Sequence, residues 1–332
     1  MTIWVPAFRG DDEFSVKGID MADKTKIGFI GLGTMGAGMA RNFQKAGYPL
    51  VVHDIRRAAS DSFVSAGAVW ADTPAAVSRA ASVVFTSLPA PPDVEAVALG
   101  KDGIIAGAQA GSVYCDLSTN SLSMVKRIHA AFAEKRAHML DTPVSGGPAG
   151  AASGKMAIWV GGDEAVFKQV KPALDTIADA ARYIGPIGSG TIAKLVHNCA
   201  GYAVNTAIAE VMTLGVKAGL EPLELWRAVR QGAVGRRRTF DTVAANFLID
   251  KYEPPNFMLK LAHKDVGLAT ALGRELGVPM RLANLTLEEM TEAMGRGWGE
   301  KDSRIAMTLE TERAGINIKC DPAQVQKVLD TE

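Results

Sequence analysis

Lys194 and Asn198 stand four residues apart in the stretch Gly188-Ser-Gly-Thr-Ile-Ala-Lys194-Leu-Val-His-Asn198. At helical spacing they lie on one face, one turn apart. A reaction that makes or consumes a hydroxyl group needs a side chain to give or take the hydroxyl proton. A lysine can do this if its pKa falls from the ordinary value of about 10.4 towards neutrality. Partial burial and a nearby second cation both push it that way. The neighbours Ile192, Leu195 and Val196 are apolar. Lys264, in Phe257-Met-Leu-Lys-Leu-Ala-His-Lys264-Asp-Val, is the candidate second cation. Most lysines are simply solvated; the apolar setting and Asn198 weigh against that here. His197 and His263 sit beside stronger candidates and are expected to pack or cap rather than catalyse.

Two glycine-rich stretches offer backbone to anions. In the first, the apolar run Ile27–Ile30 leads into Gly31-Leu32-Gly33-Thr34-Met35-Gly36, with helical periodicity beyond. This is a GxGxxG turn between a strand and a helix. Gly31 permits the tight bend, Gly33 lets a pyrophosphate touch the backbone, and Gly36 allows close helix–strand packing. The N–H groups of the following helix then face the phosphates. The next strand runs into Asp54, at the offset where an acid binds the adenosine ribose, which favours NAD. Arg56 and Arg57 could hold a 2′-phosphate and keep NADP open. The second stretch runs from Asp141 to Gly154, with Ser145, Gly146 and Gly147 leading its glycines. Its N–H groups and the Ser145 hydroxyl suit a carboxylate; the alternative is a flexible loop between domains. Arg236-Arg237-Arg238 reads equally as a solvated loop or an anion-collecting rim, with Asp241 a candidate partner. Trp159, Trp226 and Trp298 are expected in core or interface rather than against a ligand.

The elements that must position these residues follow from periodicity. Short apolar runs at 26–30, 49–53, 68–70, 82–87, 112–116, 138–140, 156–160 and 181–184 alternate with helical segments. That beat predicts a largely parallel sheet with helices on both faces. Ligands of such sheets sit beyond the carboxyl ends of the strands. Asp54–Arg56, Ser87–Ala90, Asp116–Asn120 and the turn 142–154 land there. From Thr191 to Ala218 apolar residues recur at three and four, which predicts one long helix. Helical segments follow at 223–231, 239–248, 256–276, 281–295 and 303–314. The division is thus a flexible extension over 1–22, a nucleotide-binding domain over 23–187, a helical domain over 188–318 and a tail over 319–332. The long helix is apolar over so much of its surface that it wants burial on more than one side. That points to a subunit interface, in a homodimer or homotetramer.

Composition narrows the classes further. The 332 residues have room for two domains, and 36 basic against 36 acidic residues give a formal net charge of zero. That balance supports neither a nucleic-acid partner nor a membrane surface. Cys115, Cys199 and Cys320 are far apart and show neither metal-ligand spacing nor a disulfide framework, which fits a reducing cytoplasm. No stretch is apolar and long enough to span a bilayer. Residues 1–20 lack signal-peptide architecture, and Met21 is an alternative start.

With these motifs assembled, the chain resembles the β-hydroxyacid dehydrogenase family, which includes 3-hydroxyisobutyrate dehydrogenase and tartronate semialdehyde reductase within the wider 6-phosphogluconate dehydrogenase fold. Four motifs match in order: GFIGLGTMGAGMA at 28–40, DTPVSGGPAGAASGKMAIWVGG at 141–162, GSGTIAKLVHN at 188–198 and FMLKLAHKDV at 257–266. The resemblance implies an α/β Rossmann-type N-terminal domain and an all-α C-terminal domain linked by a long helix. It implies that Lys194 is the catalytic lysine and Asn198 its companion in orienting substrate. Ser145, Gly146 and Gly147 resemble the substrate-carboxylate turn. Thr119 resembles the residue near both nicotinamide and substrate. Lys264 resembles the lysine at the cofactor end of the cleft, and Leu88 and Pro89 a cofactor-lining strand end. The family often has Leu and Met-Val where this chain has Met156 and Ile158-Trp159, and the segment around Arg236–Arg238 is unusually basic. The implied activity is reversible hydride transfer between NAD(P) and a small β-hydroxy acid or its semialdehyde. An imine-reducing relative and a non-catalytic dinucleotide-binding module are the alternatives; Lys194 with Asn198 argues against both.

Overall fold

The computed structural model describes residues 24–232, 235 and 241–331. Six strands form its parallel sheet: β1 (Ile27–Ile30), β2 (Leu50–His53), β3 (Val69–Trp70), β4 (Val83–Thr86), β5 (Val113–Asp116) and β6 (His138–Asp141). Their order is β3-β2-β1-β4-β5-β6, in parallel register throughout. This is the doubly wound arrangement. Six helices make the connections: α1 (Thr34–Lys45), α2 (Asp61–Ser65), α3 (Pro74–Ala80), α4 (Pro91–Leu99), α5 (Ile104–Gly107) and α6 (Leu122–Glu134). The apolar runs explain the burial. In β1, β4 and β5 alternate residues enter two different cores. Phe29, Phe85 and Cys115 join α1's Met39 and Phe43 on one face. Ile30, Val84 and Tyr114 join Val77, Val94 and Ile128 on the other. Continuous apolar strands are what a sheet covered on both faces requires.

The far edge departs from the parallel beat. The segment expected as an open glycine turn holds β7 (Val144–Ser145) and α7 (Gly147–Ser153) before β8 (Met156–Gly161). Pro148 at the start and alanines beyond it favour a short helix, and Gly154, at φ +72°, ends it. β7 and β6 meet β8 antiparallel, while β9 (Ala178–Gly185) lies parallel to β8 beyond α8 (Glu164–Leu174).

The remaining elements are helical: α9 (Ser189–Lys217), α10 (Pro222–Gln231), α11 (Leu259–Glu275), α12 (Arg281–Gly295), α13 (Thr308–Ala314) and α14 (Pro322–Thr331). Two segments differ from expectation. The described part of 239–248 contains only a 3-10 turn at Asp241–Val243 followed by turns. Val243, Ala244, Phe247 and Leu248 are nonetheless buried beside Trp226 and Met212; burial at helical spacing had mimicked a helix. Residues 303–314 begin as a 3-10 turn, Ser303–Met307, before α13. Within 319–332, α14 buries Val325 and Val328 in the same core as Trp226. Among the described residues no helix is long and apolar enough to cross a membrane. Along α9, Leu195, Cys199, Ile208 and Met212 are buried, while Ile192, Val196 and Val204 remain exposed.

Candidate active site

The glycine turn after β1 has the geometry that a dinucleotide demands. A Cβ on Gly31, whose φ is +93°, would meet the Ser87 carbonyl at 2.4 Å, and one on Gly36 would overlap the Gly31 carbonyl. Nothing lies within 4 Å of the corresponding position on Gly33. Two glycines therefore let the backbone close on itself, and the third leaves space for a phosphate. Thr34 and Met35 open α1 directly after it. Asp54 is buried at the end of β2 and grips the turn: its Oδ2 accepts from the Leu32 N–H at 2.7 Å and its Oδ1 from the Arg56 N–H at 2.8 Å. Arg56 itself is exposed, with its Nε 3.7 Å from Asp54. Arg57 is engaged elsewhere, 4.4 Å over the Trp70 ring and 3.0 Å from Asp61. Leu88 lies beside Gly31, and its N–H donates to Ser118 Oγ at 2.9 Å. These residues would fit a dinucleotide, the open space at Gly33 suiting a pyrophosphate and Asp54 a ribose hydroxyl.

Two more carboxylates end neighbouring strands. Asp116 and Asp141 are partners in the β5–β6 register, and both are buried. Asp116 accepts from Thr86 Oγ1 at 2.9 Å, the Ser118 N–H at 3.1 Å and Asn120 Nδ2 at 3.1 Å. It thereby shapes the loop that carries Thr119. Burial raises its pKa despite those bonds. Asp141 reaches across to the helical half. Its Oδ1 accepts from the Gly188 N–H at 2.8 Å and its Oδ2 from the Thr191 N–H at 2.6 Å. Two N–H groups at the entry to α9 are thus satisfied by a residue some 50 positions earlier, a cap supplied from outside the helix. Burial pushes the Asp141 carboxyl up to about 6, its hydrogen bonds opposing. Four residues after it comes Ser145, then Gly146 and Gly147 with φ +141° and +62°. Asp141 therefore ties this turn to the helix that bears Lys194.

The side chains converge on the first turns of α9 and on α11. Lys194 is 8 % exposed. Burial lowers its pKa to about 8; Asp265 opposes that shift and Lys264 adds to it. Asn198 donates from Nδ2 to Asp265 Oδ2 at 2.6 Å. Asp265 is fully buried, with Lys264 Nζ at 3.1 Å from its Oδ1. Lys264 Nζ also donates to the carbonyls of Pro89 at 3.0 Å and Thr119 at 3.3 Å. One ammonium thus joins α11 to the ends of β4 and β5. The structure brings Lys194, Asn198, Lys264, Pro89 and Thr119 to one locus, with Leu88 and the glycine turn alongside.

Some residues lay elsewhere or went unforeseen. Arg236–Arg238 lie outside the described residues, and Asp241 pairs with Arg230 at 2.7 Å. Trp226 is core, whereas Trp159 is half-buried on β8, 5.1 Å from the His197 ring. His263 bonds Thr291 Oγ1 at 2.9 Å. The sequence placed Asp116 and Asp141 at the edges of candidate segments, but no role was read for the carboxylate of Asp116, Asp141 or Asp265. Each had a signal: an acid at the last position of an apolar strand, or directly after the candidate lysine. Among the described residues no group of three or more His, Cys, Asp or Glu could hold a metal ion.

Comparison with known proteins agrees with this geometry. The family model of the NAD binding domain of 6-phosphogluconate dehydrogenase matches residues 26–185. A second, described as NAD-binding of NADP-dependent 3-hydroxyisobutyrate dehydrogenase, matches residues 188–309. The chain is 32% identical over 298 residues to 2-(hydroxymethyl)glutarate dehydrogenase of Eubacterium barkeri, covering 90% of this chain and 99% of that protein. It is 34% identical over 289 residues to the NAD-dependent L-serine dehydrogenase of Pseudomonas aeruginosa, covering 86% and 97%. Among solved structures, 3-hydroxyisobutyrate dehydrogenase of Mycobacterium tuberculosis with L-serine superposes with a TM-score of 0.77 at 27% identity, covering 86% and 98%.

Proposed function

The chain belongs to the β-hydroxyacid dehydrogenase family and is an NAD(P)-dependent oxidoreductase, and from that premise we propose that Lys194 is its general acid/base in the cleft between sheet and helices. The observation that carries this reading is a buried lysine whose pKa is lowered to about 8 beside Asn198, Asp265 and Lys264. Ser145, Gly146 and Gly147 hold the carboxylate of a small β-hydroxy acid or its semialdehyde. Thr119 borders both ligands, and Asn198 orients the reacting oxygen. NAD(P), when bound, supplies the hydride acceptor or donor. In the oxidative direction neutral Lys194 takes the hydroxyl proton as the C–H electron pair leaves, and a carbonyl forms. In the reductive direction the Lys194 ammonium returns that proton to the developing alkoxide. Asp54 favours NAD, because a carboxylate accepts from a 2′-hydroxyl and repels a 2′-phosphate; Arg56 is the group that would admit NADP.

The division into a cofactor domain over 23–187 and a substrate and dimerisation domain over 188–318 belongs to the same reading. So do a cytoplasmic location, supported by three free buried cysteines, and a homodimer or homotetramer, supported by the exposed apolar stripe Ile192, Val196 and Val204. The test is a panel of small hydroxy acids and semialdehydes with NAD and with NADP, followed at the reduced-nicotinamide absorbance. At least one acid should turn over with wild type, and Lys194→Ala should nearly abolish that turnover while retaining cofactor affinity. Near-normal turnover by Lys194→Ala would sink the mechanism.

A further inference from the structure

Trp159 and His197 have no task in the reaction as derived above. Trp159 stands half-buried on β8 and His197 is exposed on α9. Their rings lie 5.1 Å apart at 48°. His197 Nδ1 is 3.0 Å from Asn198 Oδ1. We propose that His197, seated against Trp159, is a positioning residue that fixes the carboxamide of Asn198 for the substrate oxygen.

The chemistry of the partners dictates the direction of every bond. An ionised carboxylate only accepts, so the atom of Asn198 at 2.6 Å from Asp265 is its NH₂. The carboxamide oxygen must then face His197, and Nδ1 must carry the hydrogen. Both ends of the amide are therefore held, Nδ2 by Asp265 and Oδ1 by His197. One N–H of Nδ2 is spent on Asp265, and the other remains for substrate. Without the imidazole, the amide oxygen loses its donor and the second N–H loses its fixed aim. Trp159 acts one step further out: it limits where the imidazole ring can lie. The chain Trp159–His197–Asn198–Asp265 thus runs from the β8 strand, which pairs with the carboxylate turn at Ser145 and Ala157, to the buried centre.

The inference rests on the proposed role of Asn198, and the experiment separates the two. Four variants are compared by kcat, KM, cofactor Kd and Tm: His197→Phe, His197→Gln, Trp159→Val and Asn198→Ala. Phenylalanine keeps a ring against Trp159 and removes the donor; glutamine restores a donor. His197→Phe should lower kcat/KM about 3- to 10-fold, the size of one lost neutral hydrogen bond, with cofactor Kd and Tm unchanged. His197→Gln should recover part of that loss. Trp159→Val should cost less than His197→Phe and add nothing in the His197→Phe background, because its effect passes through the imidazole. If Asn198→Ala is crippled while His197→Phe is normal, the inference is overturned and the active-site reading stands. If Asn198→Ala is itself normal, the active-site reading falls. A loss in His197→Phe matched by cofactor affinity and Tm marks a merely structural role and also overturns the inference.

Discussion

On the sheet side of the cleft, Asp54, Asp116 and Asp141 each close a parallel strand with a buried carboxylate; Asp54 and Asp141 accept from the backbone N–H groups of Leu32, Arg56, Gly188 and Thr191, and Asp116 from that of Ser118 together with the Thr86 and Asn120 side chains. What this side offers a ligand is backbone, shaped by glycine. The helical side offers side chains, Lys194, Asn198 and Lys264, the last two held by Asp265. The contrast shows how the work divides. A backbone cradle recognises a group common to many molecules, such as a phosphate or carboxylate. On the proposed reading, a small set of largely buried side chains carries the proton and can be retuned one residue at a time.

The sharpest test of this contrast adds a side chain on one side and removes one on the other. Gly33→Val places a branched side chain in the open space left for phosphate, at a residue with φ −71° that valine tolerates. It should abolish cofactor binding in a nucleotide titration while Tm holds. Lys194→Ala should do the reverse, cutting kcat by about 10²- to 10⁴-fold, the usual span for a general acid/base, with cofactor Kd unchanged. If Lys194→Ala also loses cofactor affinity, or Gly33→Val binds cofactor normally, the division is wrong.

Next in size is Asp141, where the two sides meet. Asp141→Ala leaves the N–H groups of Gly188 and Thr191 without their acceptor, at about 1–3 kcal/mol for each unsatisfied group. Denaturant titration should show a loss of a few kcal/mol, and kcat should fall as α9 loosens. The wild-type carboxyl also gives stability a slope. Its folded pKa of about 6 lies above the ordinary carboxylate value. The folded protein therefore holds the proton more tightly than the unfolded chain, and this group's contribution declines as pH climbs from about 4 to about 6. Asp141→Ala should lack that slope.

A smaller effect distinguishes proton direction. With Lys194 titrating at about 8, the oxidative rate should rise through that pH and the reductive rate should fall. Asp265 holds the lysine's pKa up, so Asp265→Asn should move both midpoints to lower pH. Smallest is Arg56→Ala, an exposed residue 3.7 Å from Asp54, which should alter NAD affinity by no more than about 2- to 5-fold.

The same contrast explains what could be read from sequence. The glycine turn was legible because its three positions are fixed by local sterics, and each glycine meets its expected surroundings. Lys194 and Asn198 were legible because a helix makes neighbours of residues four apart. Their partners come from another helix: Asp265 is 67 positions from Asn198, and periodicity within one element says nothing about which face of another will meet it. The cap on α9 was hidden for the same reason, since Asp141 lies on a strand of the other half. Around 241–248 the pattern misled outright. Burial at helical spacing is a property of position against a core, and turns packed on Trp226 satisfy it as well as a helix does.

Lys264 gives the cleft a mechanical property. Its ammonium bridges two carbonyl oxygens of the sheet side, at Pro89 and Thr119, so widening the gap requires that both contacts be exchanged for water. The side chain is 21% exposed, and water is at hand to make the exchange. It is a damper rather than a bolt: these two contacts resist separation, yet water can replace them at little net cost.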